Sequence, residues 1–531
     1  MSVGSDAPVN FLFFITDQQR ADHLGCYGNP VVKTPNLDTL ARRASQFNNM
    51  HVATPICMPN RASLMTGRFP STHGARHNGI PLSLQAMTFV ESLRQAGYRT
   101  ALVGKAHLQN MTLRPPVWPV PLESRLKQEA MRATPGNYDQ ERRKYWLSSD
   151  DFDLDYPYYG FEQARLVDEH SDEVHGHYRY WLRKHYPELE RHVGPDGAMP
   201  TPGYALSKIR QAWRTRLPEE IYPSAYIADR GMDYLREFAA QGQPFFLKCS
   251  FPDPHHPFTP PGKYWDMYDP AQMELPPSFH GTPTSVPPHV KWLYDQRDSG
   301  KAIKNTPAIF ACNEQEAKEA LALNYGSISN IDHQIGRVLG ELDRLGLSRN
   351  TVVVFTSDHG DYLGDHQLML KGPIHYRGLT RVPFLWAEPE GAAKTLNSDS
   401  LVSTVDIAPT VLNRAGVAPY NGIQGHSLMP VMAGADTQLR DALIIEEEGQ
   451  RVILGFNTRI RCRTLLANDC RVTIYDGANW GELYNLAEDP NELNNLWSDS
   501  SSACLRAKML EKLAYMMLNH VDTSPYPTAL A

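Results

Sequence analysis

Short apolar runs rich in β-branched and aromatic residues alternate along the chain with segments whose apolar positions recur about every 3.6 residues. A strand covered on both faces reads as such a continuous run. Strands are therefore expected at Asn10–Thr16, Thr100–Val103, Phe245–Ser250, Thr351–Thr356 and Val382–Trp386, with helices at Thr34–Phe47, Thr88–Ala96, Ser224–Ala240 and Glu316–Leu345. This alternation is the pattern of an α/β fold, a large and mostly parallel sheet with helices on both faces.

Two stretches break the pattern, at about 109–223 and 257–306, both rich in Pro, Tyr, Trp and charge. Long irregular connections over a scaffold commonly carry specificity. After Gly434 the texture changes, and Ala442–Ile445, Ile460–Leu466, Val472–Tyr475 and a helix at Ala503–Met517 suggest a small antiparallel sheet with one helix. Two units follow: a catalytic domain over 1–434 and a smaller α+β unit over 435–531.

The 531 residues carry a formal net charge of -7, without the basic footprint of a general nucleic-acid binder. The first apolar run, Phe11–Ile15, is too short for a membrane span and lacks the flanks of a signal peptide, so a cytoplasmic location with no membrane partner is expected. The seven cysteines form no CxxC pair, which argues against a disulfide scaffold or a zinc knuckle.

The first four predicted strands run into polar residues: Asp17-Gln18, Lys105 with His107, His255-His256 and Asp358-His359. Ligands of open α/β sheets bind outside the carboxyl ends of the strands, so these clusters are expected to converge. In Pro55-Ile-Cys-Met-Pro-Asn-Arg-Ala-Ser-Leu-Met-Thr-Gly-Arg68, Pro59 suits the first turn of a helix. Cys57 then lies near a helix N-terminus beside the Arg61 guanidinium, a setting that favours thiolate, although a buried inert cysteine is the commoner case.

Cys57-Met-Pro-Asn-Arg61 followed by Thr66-Gly67-Arg68 resembles the signature of the type I sulfatases of the alkaline phosphatase-like superfamily, in its arylsulfatase and phosphonate monoester hydrolase branch. Asn60 stands where that family usually has a smaller residue. Phe355-Thr-Ser-Asp-His-Gly-Asp-Tyr-Leu-Gly-Asp-His366, with Lys371-Gly372 and Arg381-Val-Pro383, is similar to the second signature, and Glu482–Leu496 to the C-terminal segment.

The resemblance implies that Cys57 is converted to formylglycine (3-oxoalanine) by a formylglycine-generating enzyme, and that its hydrate attacks a bound ester. It implies one divalent cation held by Asp17, Gln18, Asp358, His359 and the modified Cys57. His359 stands where many members have asparagine, which leaves calcium and manganese both open. Lys105, His107, Lys371 and Arg61 would serve the nucleophile and the anionic ester, Asn78 would contact substrate, and His255 or else His256 would protonate the leaving group.

The implied activity is hydrolysis of sulfate monoesters of aryl or small organic alcohols. A phosphonate monoester or phosphodiester hydrolase with the same machinery is the near alternative, and a binding protein that lost the chemistry the remote one. The expected partner is a small-molecule ester; a homo-oligomer is compatible with the sequence. His170, His175 and His177 have no acidic or thiol partner at a familiar spacing and are expected on a solvated or packed helix face. The aromatic run Tyr156–Phe161 is expected to pack its loop, and Glu446-Glu-Glu448 to be a solvated strand end.

Overall fold

The computed structural model describes residues 8–114, 134–149, 152–201, 203–283, 285–389, 395–434 and 438–529. The expected unit boundary at 434/435 adjoins residues outside these ranges, as does part of the expected irregular stretch. In chain order the strands are β1 (Asn10–Thr16), β2 (Ser45–His51), β3 (Arg99–Gly104), β4 (Gln163–Leu166), β5 (Phe245–Ser250), β6 (Phe310–Ala311) and β7 (Thr351–Ser357). There follow β8 (Leu368–Met369), β9 (Phe384–Ala387), β10 (Asn397–Ser403), β11 (Ala442–Glu448), β12 (Arg461–Ala467), β13 (Cys470–Tyr475) and β14 (Gly481–Asn485).

The large sheet has eight strands in the order β10-β2-β9-β7-β1-β5-β3-β4. All its pairings are parallel except those of β9, which runs antiparallel to β2 and β7. At its centre β7, β1, β5 and β3 lie side by side in parallel register, so their carboxyl ends open on one edge. Each of β1, β5 and β7 is buried along its whole length. Helices cover both faces, among them the amphipathic Pro223–Gln241 and the 31-residue Glu314–Arg344. Asn313 and Glu316 close a capping box at the N-terminus of the longer one, satisfying backbone donors that the first turn leaves unpaired.

Three expectations need correction. The helix expected over Thr34–Phe47 ends at Ala41, and Ser45–His51 is the strand β2. In Ser-Gln-Phe-Asn-Asn-Met-His polar residues surround the apolar Phe47 and Met50, so no continuous apolar run marks the strand. The stretch at 109–223 contains β4, whose alternating burial marks it as the edge strand of the sheet. Glu446 and Glu447 are buried, not solvated: Glu447 lies 2.9 Å from His375 Nε2, and Glu446 accepts from the Ser71 amide and hydroxyl at 2.8 Å. The Tyr156–Phe161 run behaves as expected, with Tyr158, Tyr159 and Phe161 all in the core.

Strands β11–β14 form a separate antiparallel sheet, backed by the helix Ala503–Asn519. Arg471 on β13 is buried between Glu482 (3.0 Å) and Glu492 (2.5 Å), and Glu492 also accepts from the amide of Arg377 in the large unit at 2.8 Å. Among the described residues no helix is long and apolar enough to cross a membrane.

Candidate active site

At the carboxyl edge of the four central strands the polar clusters meet. The helix Cys57–Thr66 begins at Cys57 and is buried throughout, and it ends at Gly67, whose φ of 62° suits glycine. Gly104 closes β3 at φ 109°, where a Cβ would lie 1.8 Å from the Ser250 carbonyl oxygen; only glycine lets β3 and β5 approach so closely just before Lys105.

Arg61, one turn along this helix, has no exposed surface and ties the strand ends together. Its Nε is 2.7 Å from Asp358 Oδ2, one terminal nitrogen is 3.4 Å from Asp17 Oδ2, and the other donates to the Lys105 carbonyl (3.0 Å) and Ser250 Oγ (2.9 Å). Asn60, the departure from the usual small residue, has its own work. Its carbonyl oxygen accepts from Ala53 N (3.1 Å) and Thr404 Oγ1 (2.9 Å), while its amide donates to the Asp358 carbonyl.

Two lysines reach the same centre. Lys105 Nζ is 2.6 Å from Asp17 Oδ2. Lys371 Nζ is 2.7 Å from His255 Nε2, 3.1 Å from Gln18 Oε1, 3.2 Å from His359 Nε2 and 3.8 Å from Cys57 Sγ. Asn78 donates to Cys57 Sγ at 3.7 Å and accepts from the Met58 amide at 3.3 Å. His107, held at φ 51°, also hydrogen-bonds the Cys57 side chain. Every site residue expected from the sequence therefore lies in this one cluster, with His256 turned toward Gln18 Nε2 (3.0 Å) and His255 toward Lys371.

Burial alone would push the Cys57 thiol up, but Lys371, His107 and Lys105 hold it well below the ordinary thiol range. The Asp17 carboxyl is likewise raised by burial and carried well below its usual range by Lys105, Arg61, Lys371 and His359. His255 and His256 are held well down, first by burial and then by the lysines and neighbouring imidazoles. These shifts favour the ionised forms of Asp17 and Cys57 and the neutral forms of His255 and His256.

Asp17, Asp358 and His359 can each bring one donor atom within 4.8 Å of the others, all of them buried. Among the described residues Asp17 Oδ1 has no hydrogen-bond partner, and it lies 3.5 Å from His359 Nε2. A fully buried carboxylate oxygen with no donor is costly unless a cation or water meets it. Gln18 Oε1 points into the same space, because its amide nitrogen is engaged by Asp361 and His256. The donor set of carboxylate, amide and imidazole suits a divalent metal.

One prominent member was set aside in the sequence. His170 is not on a helix face: its Nε2 is 2.7 Å from Lys105 Nζ and 4.0 Å from Asp17 Oδ2, and its ring stacks on His255 at 3.5 Å. His175 and His177 do behave as packed residues, meeting the Glu141 carbonyl (2.9 Å) and Asp153 (3.2 Å). Asp361, bonded to Gln18, was also missed, although it lies inside the second signature.

Comparison with known proteins places this geometry. The sulfatase family model matches residues 9–417, and the model for the N-sulphoglucosamine sulphohydrolase C-terminal region matches 364–519. An arylsulfatase of Clostridium perfringens is 30% identical over 503 residues, covering 92% of this chain and 90% of its own. A choline-sulfatase of Rhizobium meliloti is 26% identical over 497 residues, 92% of this chain and 82% of its own. In fold, the crystal structure of a phosphonate monoester hydrolase of Agrobacterium radiobacter superposes with a TM-score of 0.75 over 98% of each chain, at 24% identity. With a family match that runs from β1 past Asp358 and Lys371, and a relative similar over nearly its whole length, the chain belongs to the sulfatase family of sulfuric ester hydrolases.

Proposed function

We propose that the protein hydrolyses sulfate monoesters of aryl or small organic alcohols, using a hydrated formylglycine made from Cys57. The observation that carries this reading is the convergence of His107, Lys371 and Asn78 on the side chain of residue 57 at a buried helix N-terminus, with Lys105 held beside it on Asp17. Asp17, Gln18, Asp358, His359 and the modified residue 57 would hold one divalent cation, calcium or manganese, which when bound would polarise the ester and favour the ionised nucleophile. Arg61 holds Asp17 and Asp358 in place for it.

In this reading Lys105 and Lys371 bind the sulfuryl oxygens and stabilise the charge that grows on them. Formed from Cys57, the hydrated aldehyde would supply the oxygen nucleophile toward sulfur, its ionised form favoured by the surrounding cations, while the His255–Lys371 pair is placed to give a proton to the departing alcohol oxygen. His107, beside residue 57, would take the proton of the second hydroxyl as sulfate leaves, and water would restore the hydrate. A formylglycine-generating enzyme is the maturation partner this requires.

A second reading, phosphonate monoester or phosphodiester hydrolysis with the same groups, is favoured by imidazole rather than amide at His359 and by the Asn78 contact to residue 57. Intact-mass analysis tests the nucleophile: conversion exchanges one sulfur and two hydrogens of Cys57 for one oxygen. An unconverted chain with full turnover, or undiminished turnover by Cys57→Ala, refutes the reading. Paired nitrophenyl sulfate and phosphonate esters rank the two substrate classes by kcat/KM.

A further inference from the structure

Between β4 and the helix at His177–His185 the chain makes a turn at a conformational cost. Glu169 and Ser171 have φ of 76° and 58°, left-handed values that non-glycine residues adopt rarely, and His170 between them is extended. Such strain persists only where the surroundings impose it. Here Asp172 supplies the anchor: its buried carboxylate accepts from Gly194 N (3.2 Å), Trp213 Nε1 (3.0 Å) and Thr215 Oγ1 (2.6 Å). The turn, thus fixed to the rest of the insertion, directs His170 into the active site.

There the ring of His170 lies over His255, with centroids 3.5 Å apart and planes 14° apart, while His256 flanks His255 at 4.1 Å and 25°. His255 is therefore held between two imidazoles. The Nε2 of His170 meets Lys105 Nζ at 2.7 Å, and its side chain keeps 17% exposure where Asp17 and Lys105 keep none, which puts it on the open side of the site.

We propose that His170 is a positioning residue for leaving-group protonation. Its ring pins His255, and its Nε2 fixes Lys105, so that the proton held between Lys371 and His255 is aimed at the departing ester oxygen. The assignment rests on the reaction given above. As the S–O bond breaks its electron pair stays on the alcohol oxygen, which takes that proton; the pair recovers one from solvent. Nitrophenolate departs readily without a proton, whereas an alkoxide or simple phenoxide does not, so the need for His170 scales with the basicity of the leaving group.

The test is kcat/KM for the full-length protein, His170→Ala and His170→Phe on a series from 4-nitrophenyl sulfate through phenyl sulfate to an alkyl sulfate. The alanine variant is expected to lose about tenfold more on the basic leaving groups than on nitrophenyl sulfate, steepening the dependence. Phenylalanine restores the ring contact but not the Lys105 bond, and is expected to return most of that slope. A uniform loss across the series, an unchanged slope, or a slope that phenylalanine leaves steep overturns the assignment. A wild-type protein that turns over none of the series instead refutes the underlying reaction, and the two failures are distinct.

Discussion

Replacing Arg61 with lysine keeps the charge and tests whether the fork of the guanidinium organises the site. Arg61 makes four polar contacts, to Asp358, Asp17, Ser250 and the Lys105 carbonyl, all in a region with no exposed surface. A lysine ammonium has three donors on one nitrogen and cannot span these four acceptors, which approach from different strand ends. At least one charge-assisted hydrogen bond is lost, worth about 1.5–3 kcal/mol when its partner stays buried. At about 1.4 kcal/mol per decade this weakens divalent-cation binding about ten- to a hundredfold, the range for residues that orient metal ligands. Calorimetric titration of chelator-treated protein with calcium and with manganese measures it without reference to turnover. An Arg61→Lys protein that binds either ion as tightly as the wild type refutes the claim that Arg61 sets the geometry of Asp17 and Asp358.

Three further outcomes follow from the same structure. Lys105→Met removes the ammonium 2.6 Å from Asp17 and is expected to lower kcat/KM about a hundred- to a thousandfold, as loss of one preorganised donor does; a change of less than about fivefold refutes the role. Arg471→Met strands Glu482 and Glu492 and is expected to cost about 3–5 kcal/mol, read as earlier urea unfolding and faster amide exchange in β13. Burial holds His23 down to about 4 and His51 and His366 down to about 3. Their folded-state values lie below the unfolded value, so the unfolded chain binds more protons and stability falls as pH drops below about 6.5, with each histidine withdrawing at most about 2 kcal/mol by pH 5. A melting temperature unchanged between pH 7 and pH 5 contradicts this.

Sequence reasoning reached most of the scaffold because the central strands are buried on both faces, and a strand with no polar obligation on either side writes itself as a continuous apolar run. Each functional residue at the end of such a strand inherits that legibility: Asp17 follows β1, Lys105 follows β3, His255 follows β5 and Asp358 follows β7. The edge strands β4 and β10, and β2 beside β10, carry mixed or alternating burial and escaped notice for the converse reason.

His170 was illegible for a related physical reason. Its position is fixed by no periodic element but by two left-handed residues, Glu169 and Ser171, and by the hold of Asp172 on Trp213 and Thr215, some forty residues away along the chain. Nothing in the spacing of His170, His175 and His177 distinguishes the one that enters the site from the two that pack the insertion; the distinction arises only when the insertion folds back on β3 and β5. Strand-end residues are held by the sheet, which every sequence of this fold must encode. A residue such as His170 is held by side-chain contacts particular to the insertion, so it can differ among chains that share Cys57, Arg61, Lys105 and Asp358, and insertions of this kind can change leaving-group demand without disturbing the nucleophile or its cation site.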